Sequence, residues 1–257
     1  MYKIKITVLS ATLNAEKFIS RLAESLQNQT DKDFEWVIVD GASVDSTNSI
    51  VKNTGNLRIR FLSAKDFGIY DALNRGIQAI DSGYYLVVGA DDVLMPDAIS
   101  QYRAAIAEGN SDIVTTAILQ AGRVVPARQG LGWLYGLPGV AGSHAVGMML
   151  KVDLHKRFGL YSRKFPIAAD QYFIKQALAG GATIIRKSFI AGEFSNEGTS
   201  GTDPVGLLTD VFRVQLLTER PAFIQFLLFG MRLSKLYIFS LLKIKSSHFP
   251  HKINSKS

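Results

Sequence analysis

Apolar positions fall into two patterns along this chain: short runs rich in branched and aromatic residues, and longer stretches with helical spacing. Residues 5–10 read as a first strand, and Asn14 is placed to cap a helix over 15–28, where Phe18, Leu22 and Leu26 share one face. Residues 34–40 predict a second strand that ends in Asp40, and Asp45 or Ser46 caps a short helix running to about residue 53. A third strand over 58–63 precedes a helix over 69–80. Residues 84–88 are five apolar side chains in succession, a strand buried on both faces, and they stop abruptly at Gly89 and the pair Asp91-Asp92. Strands alternating with helices across short connections predict a mostly parallel, doubly wound α/β sheet.

The rhythm then changes. After a helix over 96–108, residues 113–118 and 123–125 flank a turn at Ala121-Gly122 and read as antiparallel strands. Residues 130–142 carry five glycines with Trp133, Tyr135 and Pro138, the composition of a long functional loop. Residues 145–150 are strand-like, Asp170 opens a helix over 170–179, and 183–190 form another strand. The polar segment 196–206 has the makings of a mobile lid. The expected organisation is one domain over 1–219, then a basic, apolar helix and tail over 220–257.

Composition sharpens that boundary. The net charge is +7, yet from Arg220 onward there are seven basic residues and no acid, which leaves 22 of each sign in residues 1–219. The excess sits wholly in the tail and points to an anionic partner. Residues 222–244 have nearly the length of a membrane span, but Arg232 and Lys235 stand in the middle, where each costs about 2.5–3.5 kcal/mol. An amphipathic helix lying on an anionic membrane surface (222–245) fits better, with packing on the body or against a dimer partner as the alternative. The tail is apolar between its charges, which argues against nucleic acid. Cysteine is absent, so disulfides and thiolate metal sites are excluded. The first residues run into a strand without an apolar leader, and the expected location is cytoplasmic, at the inner face of the cell membrane.

Two acids at the carboxyl end of a buried strand are placed for ligand chemistry, because open α/β sheets bind ligands there. They suit a hard divalent cation completed by water and phosphate oxygens; the competing reading is a turn that caps the following helix. No Gly-x-Gly-x-x-Gly follows the first strand and no P-loop is present.

Five segments in order carry a resemblance: Ser10-Ala-Thr12-Leu-Asn14; Asp40-Gly41-Ala-Ser43-Val-Asp45-Ser-Thr47; Asp66-Phe-Gly68-Ile-Tyr70-Asp71-Ala-Leu-Asn74-Arg-Gly76; Gly89-Ala-Asp91-Asp92; and Ser143-His144 followed by Phe165-Pro-Ile-Ala-Ala-Asp170. Over residues 1–215 the chain resembles the inverting family-2 glycosyltransferases of the GT-A fold, in the branch associated with bacterial surface polysaccharides. The resemblance implies a sugar moved from a uridine diphosphate-linked donor to a polysaccharide or lipid-linked acceptor, with Mn²⁺ or Mg²⁺ as cofactor. It implies Asp92 as the direct metal ligand and Asp91 orienting metal, ribose or sugar; the family often separates these acids by one residue, whereas here they are adjacent. It further implies Asp40 against the nucleoside, and Ser10, Thr12, Asn14, Asp71 and Asn74 around the nucleotide. His144 lies near the diphosphate and is a candidate third metal contact. Inversion needs a base opposite the leaving group, and Asp170 matches that position, an N-cap aspartate being its structural alternative. Asp45 reads as a helix cap, Gly41 as a point of close backbone approach, Tyr70 and Asn74 also as packing and turn residues, and Glu193 and Thr199-Ser200 as weaker candidates. The rival functions are a sugar nucleotidyltransferase, which favours a basic glycine-rich loop that is missing after the first strand, and a membrane-docked nucleotide-sugar binder without chemistry.

Overall fold

In a computed structural model the described residues are 4–141, 144–195, 203–219 and 221–247, with side chains of the last helix described as far as Ile238. Four parallel strands open the chain: β1 (Ile6–Thr12), β2 (Glu35–Asp40), β3 (Ile59–Ser63) and β4 (Tyr84–Val87). They are connected by α1 (Ile19–Gln27), α2 (Thr47–Lys52) and α3 (Ile69–Gln78). Next come β5 (Val93–Leu94), α4 (Ala98–Gly109), β6 (Ile113–Gln120), β7 (Arg123–Val125), α5 (Gly132–Tyr135) and β8 (Met148–Lys151). The chain continues through α6 (Asp153–Phe158), α7 (Ala169–Ala179), β9 (Ile184–Phe194), α8 (Pro204–Thr218) and α9 (Ala222–Ser247).

All strands belong to one sheet, ordered β3-β2-β1-β4-β8-β6-β9-β5, with β7 paired to β6. The parallel half is β3-β2-β1-β4; β8 runs antiparallel to both β4 and β6, and β5 antiparallel to β9. Side chains alternate between two cores, as the period of a strand requires. Ile6, Val8, Trp36, Ile38, Leu86 and Val88 pack under α1 and α4, whereas Leu9, Val37, Val39 and Tyr85 pack under α3 and α7. The expected two-sided burial of β4 follows: Tyr84 joins one core and Tyr85 the other.

Several boundaries differ from the expectation. α1 begins at Ile19 rather than Ala15, because Asn14 adopts a left-handed conformation (φ 50°) and turns the chain before the helix starts. The glycine-rich segment contains α5 and a single 3₁₀ turn (Leu137–Gly139) instead of a bare loop. β9 extends to Phe194, four residues beyond the predicted end, because its last part pairs with β5. The lid expected over 196–206 lies outside the described residues except for 203–206, which hold Asp203 and the start of α8. Among the described residues no helix is long and apolar enough to cross a membrane.

Gly76 shows why α3 can lie so close to the sheet: a Cβ there would stand 2.3 Å from Leu9 Cδ1 and 2.9 Å from Val39 Cγ2. Gly76→Ala gains about 1 kcal/mol of helix propensity but overpacks two fully buried side chains, which typically costs about 1–3 kcal/mol. Gly230 in α9 has nothing among the described residues within 4 Å of the same position. Denaturant titration should therefore show a lower midpoint for Gly76→Ala and an unchanged or higher one for Gly230→Ala.

Candidate active site

The last residues of three neighbouring strands stand in register, Thr12 beside Asp40 and Asp40 beside Ser63. The Asp40 carboxylate ties them together. Its Oδ1 accepts from Thr12 Oγ1 at 3.0 Å and Ser43 Oγ at 2.5 Å, and its Oδ2 from Ser43 N at 2.8 Å and Ser63 Oγ at 3.0 Å. Burial opposes ionisation of Asp40, but these four donors outweigh it and hold the carboxyl below the usual carboxylate range. With the side chain 1% exposed and its acceptor sites filled, Asp40 organises the rim.

The segment after Asp40 is used up in the same way. Ser43 Oγ accepts from Asn14 N at 2.8 Å, Asn14 Oδ1 from Val44 N at 3.0 Å, Thr47 Oγ1 from Ala15 N at 2.8 Å and Asp45 Oδ2 from Glu16 N at 3.0 Å. Asp45 Oδ1 also accepts from Thr47 N at 3.0 Å, a turn just ahead of α2, whose N-cap residue is Ser46 rather than Asp45. This zipper joins the β1–α1 and β2–α2 loops and gives Asn14 a structural task. Ser10 is fully buried and accepts from Trp36 Nε1 at 3.1 Å inside the core, so it does not reach the rim. Asn74 is likewise spent, its Nδ2 donating to Tyr161 O and its Oδ1 accepting from Tyr161 N, both at 2.9 Å. Asp71 pairs with Arg163. Gly41 does permit close approach: a Cβ there would stand 2.7 Å from Asp66 Oδ2.

Asp91 and Asp92 behave differently. They do not cap α4, whose N-cap residue is Asp97, so the turn-cap reading fails. Asp92 is 3% exposed and accepts from Gly89 N at 3.0 Å and Ser195 N at 2.9 Å. Burial, reinforced by the adjacent Asp91 charge, pushes its carboxyl up to about 6 against those two N–H groups. Asp91 Oδ2 is buried and among the described residues has no hydrogen-bond partner. A Cβ on Gly89 would stand 2.8 Å from Asp91 Oδ1 and 2.9 Å from Asp92 Oδ2, so glycine is what lets both carboxylates fold back over the strand end. Two clustered carboxylates with an orphaned oxygen and a raised proton affinity fit a divalent cation that takes most of its ligands from water and phosphate. His144 does not complete a protein cage: among the described residues no three His, Asp or Glu side chains converge on one point. Instead its ring stacks on Phe194, centroids 4.0 Å apart, and burial lowers its proton affinity. Phe194 precedes Ser195, so the end of β9 touches His144 on one side and Asp92 on the other. Glu193 lies beside them, exposed in β9 and paired in register with Val93. Ser143, Thr199 and Ser200 lie outside the described residues.

Asp170 sits in the first turn of α7, one residue inside the helix, and is not its N-cap, which is Ala168. Tyr70, in the first turn of α3 and therefore just beyond the carboxyl end of β3, places its hydroxyl 2.7 Å from Asp170 Oδ1 and 2.9 Å from Ile167 O. Burial raises the Asp170 carboxyl above the usual range despite the Tyr70 and Gln171 donors. Tyr70 was read from sequence as a packing and turn residue; only the fold brings it against an acid 100 residues away. Behind it, the Tyr70 ring meets Tyr161 at 5.4 Å, Tyr161 Oη lies 2.8 Å from Tyr85 Oη, and Tyr85 Oη lies 2.6 Å from His155 Nε2. A separate cavity of about 400 Å³, lined by Tyr172, Lys175, Leu217 and Glu219 among others, lies farther along α7 and contains none of these rim carboxylates.

Comparisons with known proteins bear on the family and the fold. Residues 7–146 match the model for glycosyl transferase family 2. A PGL/p-HBAD biosynthesis glycosyltransferase of Mycobacterium tuberculosis is 36% identical over 114 residues, which are 42% of this chain and 44% of that protein. Poly(ribitol-phosphate) beta-N-acetylglucosaminyltransferase TarS of Staphylococcus aureus is 31% identical over 116 residues, 43% of this chain and 20% of that protein. The chain thus spans less than half the length of these curated relatives. Among solved structures, S. aureus TarS 1–349 in complex with UDP superposes with a TM-score of 0.64 at 20% identity, covering 97% of this chain and 76% of that one. Glucosyl-3-phosphoglycerate synthase of M. tuberculosis in complex with Mn²⁺, UDP and phosphoglyceric acid gives 0.63 at 14% identity, covering 84% and 78%.

The raised Asp170 carboxyl has a consequence for stability. An acid whose folded-state pKa lies above its unfolded value, about 3.9, costs no stability below that value, and the full penalty is present above the folded pKa. Asp170→Asn removes the penalty. Its Tm should exceed that of the parent by a few degrees at pH 8, and the difference should shrink as the pH is lowered toward 4, measured by calorimetry across that range.

Proposed function

The chain belongs to glycosyl transferase family 2 and has the GT-A fold, and on that premise we propose that it transfers a sugar from a uridine diphosphate-linked donor, with inversion, to a saccharide or lipid-linked acceptor. The reading rests on one observation above all: two carboxylates at the end of β4, one with a buried oxygen that has no partner among the described residues, and a third on α7 whose proton affinity burial raises and which is hydrogen-bonded to Tyr70 at the start of α3. Asp91 and Asp92 would hold Mn²⁺ or Mg²⁺, which supplies positive charge where the departing diphosphate gathers negative charge. Asp66, beside Gly41, offers a carboxylate to the nucleoside side of the rim.

Asp170 is the base. As the acceptor oxygen bonds to the anomeric carbon and the bond from that carbon to the diphosphate oxygen breaks, the hydroxyl proton passes to the Asp170 carboxylate. Attack from the face opposite the leaving group inverts the centre. A carboxyl with raised proton affinity suits this task, because a base works best when its pKa approaches the working pH. Tyr70 is a positioning residue: it donates to Asp170 Oδ1 and fixes the carboxylate without touching substrate.

Thermal-shift measurements with nucleoside diphosphates test the binding half of the reading, since a ligand that binds only the folded state stabilises it by RT ln(1 + [L]/Kd). UDP with Mn²⁺ should raise the Tm, Asp92→Asn should abolish the metal-dependent part, and an increase indifferent to base and metal would defeat the assignment. For the chemical half, Asp170→Asn should bind donor normally yet lose turnover by at least about a hundredfold. Tyr70→Phe removes a hydrogen bond that favours the ionised carboxylate, so the acidic limb of its pH–rate profile should move to higher pH. An unmoved limb would deny Tyr70 its positioning role.

A further inference from the structure

In a helix at the surface of a globular protein the apolar stripe faces the core. On α9 Gln225 and Arg232, seven residues apart on one face, point inward beside Phe229, which stacks on Phe212 of α8. Gln225 Nε2 donates to Trp133 O at 3.0 Å, Gln215 of α8 donates to the same carbonyl at 3.0 Å, and Arg232 donates to Gln215 Oε1 at 2.8 Å and to Leu134 O. Arg232 is therefore withdrawn from the surface and is not one of the lipid-facing bases that the sequence suggested. The opposite face carries Phe223, Leu227, Met231, Tyr237 and Ile238, each between 55% and 68% exposed.

That helix is also tied to the candidate base. Trp133 and Leu134, whose carbonyls it holds, lie in α5; Gly136 follows, and a Cβ on Gly136 would stand 3.4 Å from Gln171 Oε1, the residue next to Asp170. Trp133 and Tyr135 are themselves 38% and 62% exposed.

We propose that the outer face of α9, together with Trp133 and Tyr135 of α5, lies on an anionic lipid bilayer and holds the α7 side of the site at that surface. The second clause rests on the glycosyltransferase reading; the first does not. Charge selects the occupant. Apart from the inward-facing Arg232, residues 220 to 257 hold six Lys or Arg residues and no acid, which complements an anionic surface, whereas pairing two copies through this face would set like charges together. Exposed aromatic and aliphatic side chains backed by bases are the pattern of helices that lie within the interface plane.

Sedimentation of the full chain with vesicles tests this without nucleotide. Binding should be roughly tenfold or more stronger to phosphatidylglycerol-containing vesicles than to phosphatidylcholine alone at low salt. Leu227→Glu combined with Met231→Glu should abolish it while leaving the Tm unchanged, since both side chains are exposed. The chain has two tryptophans, and Trp36 is fully buried, so quenching of emission by brominated lipid reports Trp133. Absent binding, equal binding to both vesicle types, an unaffected double variant, or unquenched Trp133 would each overturn the proposal. So would a dimer in sedimentation that the same two substitutions dissociate, which would assign the face to a second copy. UDP-induced stabilisation measured without vesicles is independent of all these outcomes, so either reading can fail alone.

Discussion

The carboxyl ends of β1, β2 and β3 finish at one level because their parallel register is locked there by a single desolvated carboxylate. Asp40 accepts four hydrogen bonds from both neighbouring strands and from its own following loop. A buried charge with donors removed is costly, whereas one fully satisfied fixes geometry. The loop zipper between residues 14–16 and 43–47 extends from that point, and the entry of α3 lies beyond the end of β3.

Against that satisfied centre, the remaining acids of the rim stand out by contrast. Asp40 is held ionised by its donors, whereas burial pushes Asp92 and Asp170 toward their protonated forms and Asp91 keeps one buried oxygen without a partner among the described residues. The same residue type thus divides into structural and reactive roles by environment alone. Carboxylates that cost the fold stability in isolation are the ones a cation or an incoming hydroxyl would relieve.

The C-terminal helix follows a related logic at larger scale. Gln225 and Arg232 are turned inward onto the carbonyls of α5 and Phe229 onto Phe212 of α8, while Phe223, Leu227 and Met231 face outward. A tail that looked like a separate appendage in sequence is therefore part of the frame that holds the glycine-rich segment beside α7.

The hydrophobic pattern alone determined the strand–helix alternation, the two-sided burial of β4 and the antiparallel turn at Ala121-Gly122, because each depends on local period and turn chemistry. The five motifs in order carried the family. What each polar motif residue does was not legible, since a hydrogen-bonding side chain has many possible partners and only packing selects among them. Ser10, Asn14 and Asn74, which resembled nucleotide contacts, bond in the fold to Trp36, the Val44 backbone and the Tyr161 backbone. Tyr70 looked like packing yet meets Asp170. The inward turn of Arg232 was equally invisible, because helical spacing fixes which residues share a face but not which face the neighbouring helices claim.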